Sequence, residues 1–167
     1  MVIDIKVTQD FIEQRDHRAT IYNPGKRSQN QLLKDIEAEV LEWHLIKQGI
    51  WQDDPRWEID GHDPILGAVD VKFIHKYYNI DCKKFLYLLK QRGTTNAYVF
   101  AEWLNRPEGL LEAGQEIQVN TIGWLPYEEA ISKVQVSGFN GYYIDVRKAT
   151  VEMGTKFGGP FHDGLVE

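Results

Sequence analysis

Residues 68–74 read Ala68-Val69-Asp70-Val71-Lys72-Phe73-Ile74, and the alternation within this stretch decides the fold. As a strand, it points its side chains to two faces in turn. Val69, Val71 and Phe73 fall on one face, while Asp70 and Lys72 share the other. An acid and an amine are thereby held two residues apart on a stiff, half-apolar element. Upstream, the strand-like run Arg56-Trp57-Glu58-Ile59-Asp60 ends on a second carboxylate.

If 56–60 and 68–74 pair antiparallel around the loop 61–67, with residue 60 opposite 68, strand parity puts Glu58, Asp60, Asp70 and Lys72 on one face. Asp60 and Asp70 become diagonal neighbours, with Cβ atoms up to ~7–8 Å apart. One cation bridges such a gap; without it the acids repel and one holds a proton. Mg²⁺ suits the arrangement, because it takes oxygen ligands and is content with one or two carboxylates plus waters and a phosphate. The plainer alternative is a pair of exposed strand acids neutralised by Lys72. Asp63, followed by Pro64, is a rival first aspartate within the loop. His62 and His75 flank the site as metal ligands, proton carriers or ordinary polar residues.

A helix is expected from Ser28, which opens a capping box with Gln31, to Gly49, which stops it. Leu32, Ile36, Val40, Trp43 and Ile46 form one apolar stripe. At 100° per residue Glu39 falls within that stripe, and Glu37 and Glu42 fall outside it. A carboxylate on an apolar face is costly unless a charge meets it, so Glu39 is expected to dock toward Lys72 or a metal.

Elsewhere the pattern gives a strand over 2–7, one or two helical turns after Thr8, and a turn at Asn23-Pro24-Gly25. It gives a helix over 82–92 between Asp81 and Gly93, strands over 97–104, 116–124 and 142–146, and a short helix begun by Pro126. The class is α/β: a mixed central sheet flanked by helices, with extra C-terminal strands. The 167 residues carry no repeat or linker, which suits one domain over 1–167.

Hydrophobic residues make up 43% and charged residues 26%, which argues against disorder. No apolar run approaches the ~18 residues of a membrane span, and residues 1–20 lack a signal-peptide pattern. Cys82 is the only cysteine, so no intrachain disulfide forms and a reducing, cytoplasmic setting is expected. Net charge is −6, yet residues 72–92 carry Lys72, Lys76, Lys83, Lys84, Lys90 and Arg92 against Asp81 alone. A basic segment beside clustered carboxylates suits an enzyme acting on a phosphodiester through a metal.

A helix glutamate, a strand aspartate, a gap of about nine residues and then Asp-x-Lys on the next strand resemble the PD-(D/E)XK nuclease superfamily, whose fold is restriction-endonuclease-like. The matching residues are Glu39, Asp60, Asp70 and Lys72, and the resemblance spans about 28–104, leaving 105–167 as an extension. Two features depart from the family pattern. The strand between the helix and Asp60 must be very short, around Ile50–Gln52, and no proline precedes Asp60.

The resemblance implies a metal-dependent nuclease acting on DNA with Mg²⁺ or Mn²⁺. Asp60, Asp70 and the backbone carbonyl of Val71 would hold the ion, with Glu39 reaching it through water or helping to hold a second ion. Lys72 would position or deprotonate the attacking water, and Lys76, Lys83 and Lys84 would contact phosphates. Duplex cutting would imply a homodimer. The alternative is a nuclease-like fold that binds nucleic acid or a protein without cleaving.

Overall fold

In a computed structural model of the chain, residues 1–55, 59–74, 83–85, 95–133, 135–137 and 141–146 are described. The strands are Val2–Lys6 (β1), Gly61–Asp63 (β2), Gly67–Phe73 (β3), Lys83–Phe85 (β4), Ala97–Trp103 (β5), Glu116–Pro126 (β6), Gln135–Ser137 (β7) and Gly141–Asp145 (β8). The helices are Gln9–Ile21 (α1), Gln29–Ile36 (α2), Val40–Lys47 (α3) and Tyr127–Ser132 (α4). The result is a mixed α/β fold with a five-stranded sheet, ordered β1-β6-β5-β3-β2, and a three-stranded sheet, ordered β4-β8-β7. β3 and β5 pair in parallel, and the other pairings of the larger sheet are antiparallel.

β5 is central and has apolar cover on both faces, as its near-continuous run of buried residues requires. Val99 and Ala101 join Val69, Phe73, Phe11, Leu41 and Leu45 beneath α1 and α3. Tyr98 and Phe100 join Leu125, Tyr127 and Ala130 in a second cluster that includes α4. A bulge in β6 opposite Phe100 and Ala101 keeps both faces supplied. Before it Ile117 and Val119 face the first cluster; beyond it Trp124 does so and Leu125 turns to the second.

Two helical expectations are revised. After Thr8, whose hydroxyl accepts from the Phe11 amide at 3.2 Å, the helix runs for 13 residues rather than one or two turns. The helix from Ser28 is interrupted: Ser28 caps it by accepting from the Gln31 amide, Gly49 ends it at φ 74°, but Glu37–Glu39 is a 3₁₀ turn between α2 and α3. The cause is Glu37, whose side chain is fully buried. Its carboxylate accepts from Arg15 Nη1 and Arg106 Nη2, each at 2.6 Å, and from the Leu111 amide at 2.8 Å. The glutamate read as outside the stripe is thus the most buried acid of the segment.

Strand pairing differs in register. Gly61–Asp63, read as loop, is the partner of β3, with Gly61 opposite Val69. Relative to the expected pairing this is a slip of two residues. An even slip keeps every side chain on its face and brings Asp60 directly across from Asp70. The very short strand expected near Ile50–Gln52 is one residue long: Gln52 exchanges two backbone hydrogen bonds with His62, at 3.0 and 2.8 Å. Gly61 is required there, because a Cβ would lie 2.7 Å from the Trp51 ring.

The expected helix over 82–92 is corrected at Lys83–Phe85, a strand paired with Tyr143–Asp145. Cross-strand pairing outweighs local helix preference there. The rest of that segment, with Arg56–Glu58 and residues 154–164, lies outside the described residues. Strands 97–104, 116–124 and 142–146 appear within two residues of their expected bounds, and Pro126 caps α4 rather than starting it.

Replacing Glu37 by Ala leaves two guanidinium groups and the Leu111 amide without their buried acceptor. We expect stability to fall by about 3–5 kcal/mol, measured by urea denaturation.

Candidate functional site

Asp60 immediately precedes β2 and lies against Val69 and Val71 of β3. Its amide donates to the Val69 carbonyl at 2.9 Å, and its Oδ2 accepts from the Val71 amide at 2.6 Å. The Asp60 side chain thus bonds the β3 backbone two residues beyond the Gly61–Val69 pair. Val71 faces α3 with Val69 and Phe73, whereas Asp70 and Lys72 project from the opposite face, beside Tyr98 and Phe100 of β5. Asp60 occupies the edge between those two faces.

From the helix side the group that meets Asp60 is Glu42, not Glu39. The Glu42 and Asp60 carboxyls are within hydrogen-bonding reach, as are those of Asp60 and Asp70. On the far face Lys72 Nζ lies 3.0 Å from Asp70 Oδ2. Glu39 turns instead to α1, where its Oε2 accepts from Arg18 Nη1 at 2.6 Å, with the Tyr22 hydroxyl 3.5 Å from its Oε1. The exchange follows from helix phase. A 3₁₀ turn advances 120° per residue rather than 100°, so three such residues add about 60°. That rotation carries Glu42 to the angle Glu39 would hold in an unbroken helix.

The Asp60 and Glu42 carboxyls titrate as a linked pair. Burial, followed by the Asp70 charge, pushes Asp60 up to about 7. Burial and then Asp60 push Glu42 well above the ordinary carboxylate range. Burial also raises Glu39, although Arg18 pulls the other way. Tyr98 is held above the usual phenol value by burial first and Asp70 second, which marks it as a neighbour of the site that sequence patterning passed over.

Asp63 is committed elsewhere. It is buried, its Oδ2 accepts from Trp51 Nε1 at 2.9 Å, and its Oδ1 accepts from the Ile65 and Leu66 amides at 2.8 and 3.0 Å. It builds the turn between β2 and β3. His62 Nε2 pairs with Asp54 Oδ2. Lys83 and Lys84 lie on β4; Glu58, His75 and Lys76 lie outside the described residues.

A cleft of about 550 Å³ opens onto Asp60 and Glu42. Its described walls come from α1, the 3₁₀ turn, α3, residues 53–55 and residues 59 and 60, and include Arg18, Glu39, Asp53 and Asp54. Among the described residues no three His, Cys, Asp or Glu side chains converge as a complete metal cage. Glu42, Asp60 and Asp70 run in a chain, with Asp60 shared. Carboxyls crowded in this way favour the protonated form of one of them unless a positive charge lies between them.

Comparison with known protein families, with curated proteins and with solved structures gives no match to any of them.

Because Asp60 is raised from 3.8 to about 7, its contribution to stability is complete below about pH 4 and is lost as pH rises through 7. Glu42 acts in the same direction. Without divalent cations, the protein should melt at a lower temperature at pH 8 than at pH 5. Asp60→Asn should remove on the order of 2 kcal/mol of that pH dependence. Parallel thermal melts of both proteins across this range provide the measurement.

Proposed function

We propose that this protein is a metal-dependent nuclease of the restriction-endonuclease-like, PD-(D/E)XK class, hydrolysing DNA phosphodiesters with Mg²⁺ or Mn²⁺. The observation that supports this reading is the placement of Asp60 against β3, with its carboxylate on the Val71 amide. There it faces Asp70, which pairs with Lys72, and meets a helix carboxylate, Glu42. The glutamate proposed for the helix position is now Glu42, with Glu39 one turn away on α1's side.

The donor set fits a hard cation. Two carboxylates that repel one another, Asp60 and Asp70, are held in reach by backbone hydrogen bonds rather than by a bridging side chain. Bound there, Mg²⁺ or Mn²⁺ would acidify a water and neutralise charge building on the phosphate. Asp60 and Asp70 would hold the ion, and the Val71 carbonyl between Asp70 and Lys72 is the backbone donor of the set. Glu42 would take up or release the proton it shares with Asp60. Lys72, tethered by Asp70, would orient the attacking water and stabilise its deprotonated form. Lys83 and Lys84 are the described lysines proposed to contact phosphates, and cutting of both duplex strands would require a two-fold dimer.

A second reading, a protein of this architecture that binds nucleic acid or protein without cleaving it, is favoured by one observation. The walls of the cleft are rich in acids, and the chain carries a net charge of −6.

Purified protein should cleave DNA with Mg²⁺ or Mn²⁺. Asp70→Asn and Lys72→Ala should each reduce the rate by at least about 100-fold. Calorimetry with Mn²⁺ should show binding that Asp60→Ala abolishes and Glu42→Gln weakens. Cleavage that survives both Asp70→Asn and Lys72→Ala would remove this site from the reaction. Mn²⁺ binding by an uncleaving protein would support the second reading.

A further inference from the structure

Two arginines one turn apart on α1 meet two glutamates of the 3₁₀ turn, and the two pairs are built differently. Arg15 and Glu37 are sealed, with side chains 7% and 0% exposed, and they hold the Leu111 backbone between them. Arg18 and Glu39 stay open, at 34% and 23%, and both line the cleft that leads to Asp60 and Glu42. Among the described residues, neither side chain hydrogen-bonds a distant backbone segment. Gln14, with its amide oriented to accept, and Tyr22, whose hydroxyl is 3.1 Å from Nη1, hold the Arg18 guanidinium in place from α1 and its C-terminal cap. The sealed pair serves the fold; the open pair has no comparable structural task.

The charge of the cleft gives Arg18 one. Glu39, Glu42, Asp53, Asp54 and Asp60 make the walls hostile to an anion, and Lys47, the lysine there, is drawn over the Trp43 ring at 4.5 Å. A guanidinium is a planar fork that matches phosphate as well as carboxylate. At about 550 Å³ the cleft also falls within the range of small-molecule sites, large enough for a nucleotide unit.

We infer that Arg18 binds a phosphate of the nucleic-acid strand entering this cleft, and that Glu39 is its internal stand-in, occupying the guanidinium until that phosphate displaces it. The inference rests on the nuclease reading, and it takes Glu39 away from the metal. It predicts opposite effects for the two partners of one ion pair, whereas a structural pair would respond alike to the loss of either.

The test uses the full chain with Ca²⁺ and a short fluorescein-labelled deoxyoligonucleotide, followed by anisotropy. Arg18→Gln should weaken binding by about tenfold and lower the salt dependence by about one phosphate contact. Arg18→Lys should recover part of the affinity. Glu39→Gln should tighten binding several-fold and leave Mn²⁺ affinity, measured by calorimetry, unchanged. Weakened oligonucleotide binding by both Gln variants would overturn the inference, as would a fall in Mn²⁺ affinity with Glu39→Gln. Absence of binding by the unsubstituted protein would do the same. The nuclease reading fails separately, if Asp70→Asn and Lys72→Ala leave cleavage intact.

Discussion

The buried Glu37 carboxylate is the constraint on which the remaining geometry rests. An acid removed from water must be met by charge and by hydrogen-bond donors, and here Arg15, Arg106 and the Leu111 amide converge on it. Those partners come from α1 and from the segment between β5 and β6, so one side chain ties the helical layer to the sheet's connecting loops. Meeting them tightens the backbone into a 3₁₀ turn. That turn sets the phase of α3, and with it which glutamate reaches the sheet edge.

Across that edge runs a row of ionisable groups: Arg18, Glu39, Glu42, Asp60, Asp70 and Lys72. Cations close both ends, and burial together with neighbouring charge raises the Glu42 and Asp60 carboxyls between them. The backbone makes this crowding tolerable. Asp60 is held by the Val71 amide, and Asp70 is fixed by the parallel pairing of β3 with β5. These backbone hydrogen bonds hold the Asp60 and Asp70 carboxyls close to one another.

What could be read from the chain follows the range of the forces involved. The alternation in 68–74 is local, so the facial placement of Asp70 and Lys72 was legible. The two-residue slip kept the strand parity, because only an odd slip changes faces, yet Asp60 stands at the edge between the faces rather than beside Asp70 and Lys72. The choice between Asp60 and Asp63 rests on turn chemistry. Asp63 binds the amides two and three residues ahead, a habit of Asp before Pro-containing turns that patterning can suggest. The exchange of Glu39 for Glu42 was not legible. It depends on Glu37 partners 69 and 74 residues away, which no helical periodicity reports. Lys83–Phe85 shows the same limit, since its ladder partners lie beyond residue 140.

The order of strands in the larger sheet bears on how the chain reaches this state. β1 pairs with β6, Val2 lying opposite Asn120, so β1 finds its partner more than a hundred residues further along the chain. β3 and β5 join through a parallel crossover rather than a hairpin. Closure of such distant pairings costs entropy before it is rewarded, and sheets built this way fold slowly. On a ribosome the α1–α3 layer would emerge with its apolar face exposed and wait for β5 and β6. Until β5 and β6 are made, Leu41, Leu45 and Phe11 lack the strand residues Val99, Ala101, Ile117 and Val119 that cover them in the folded chain.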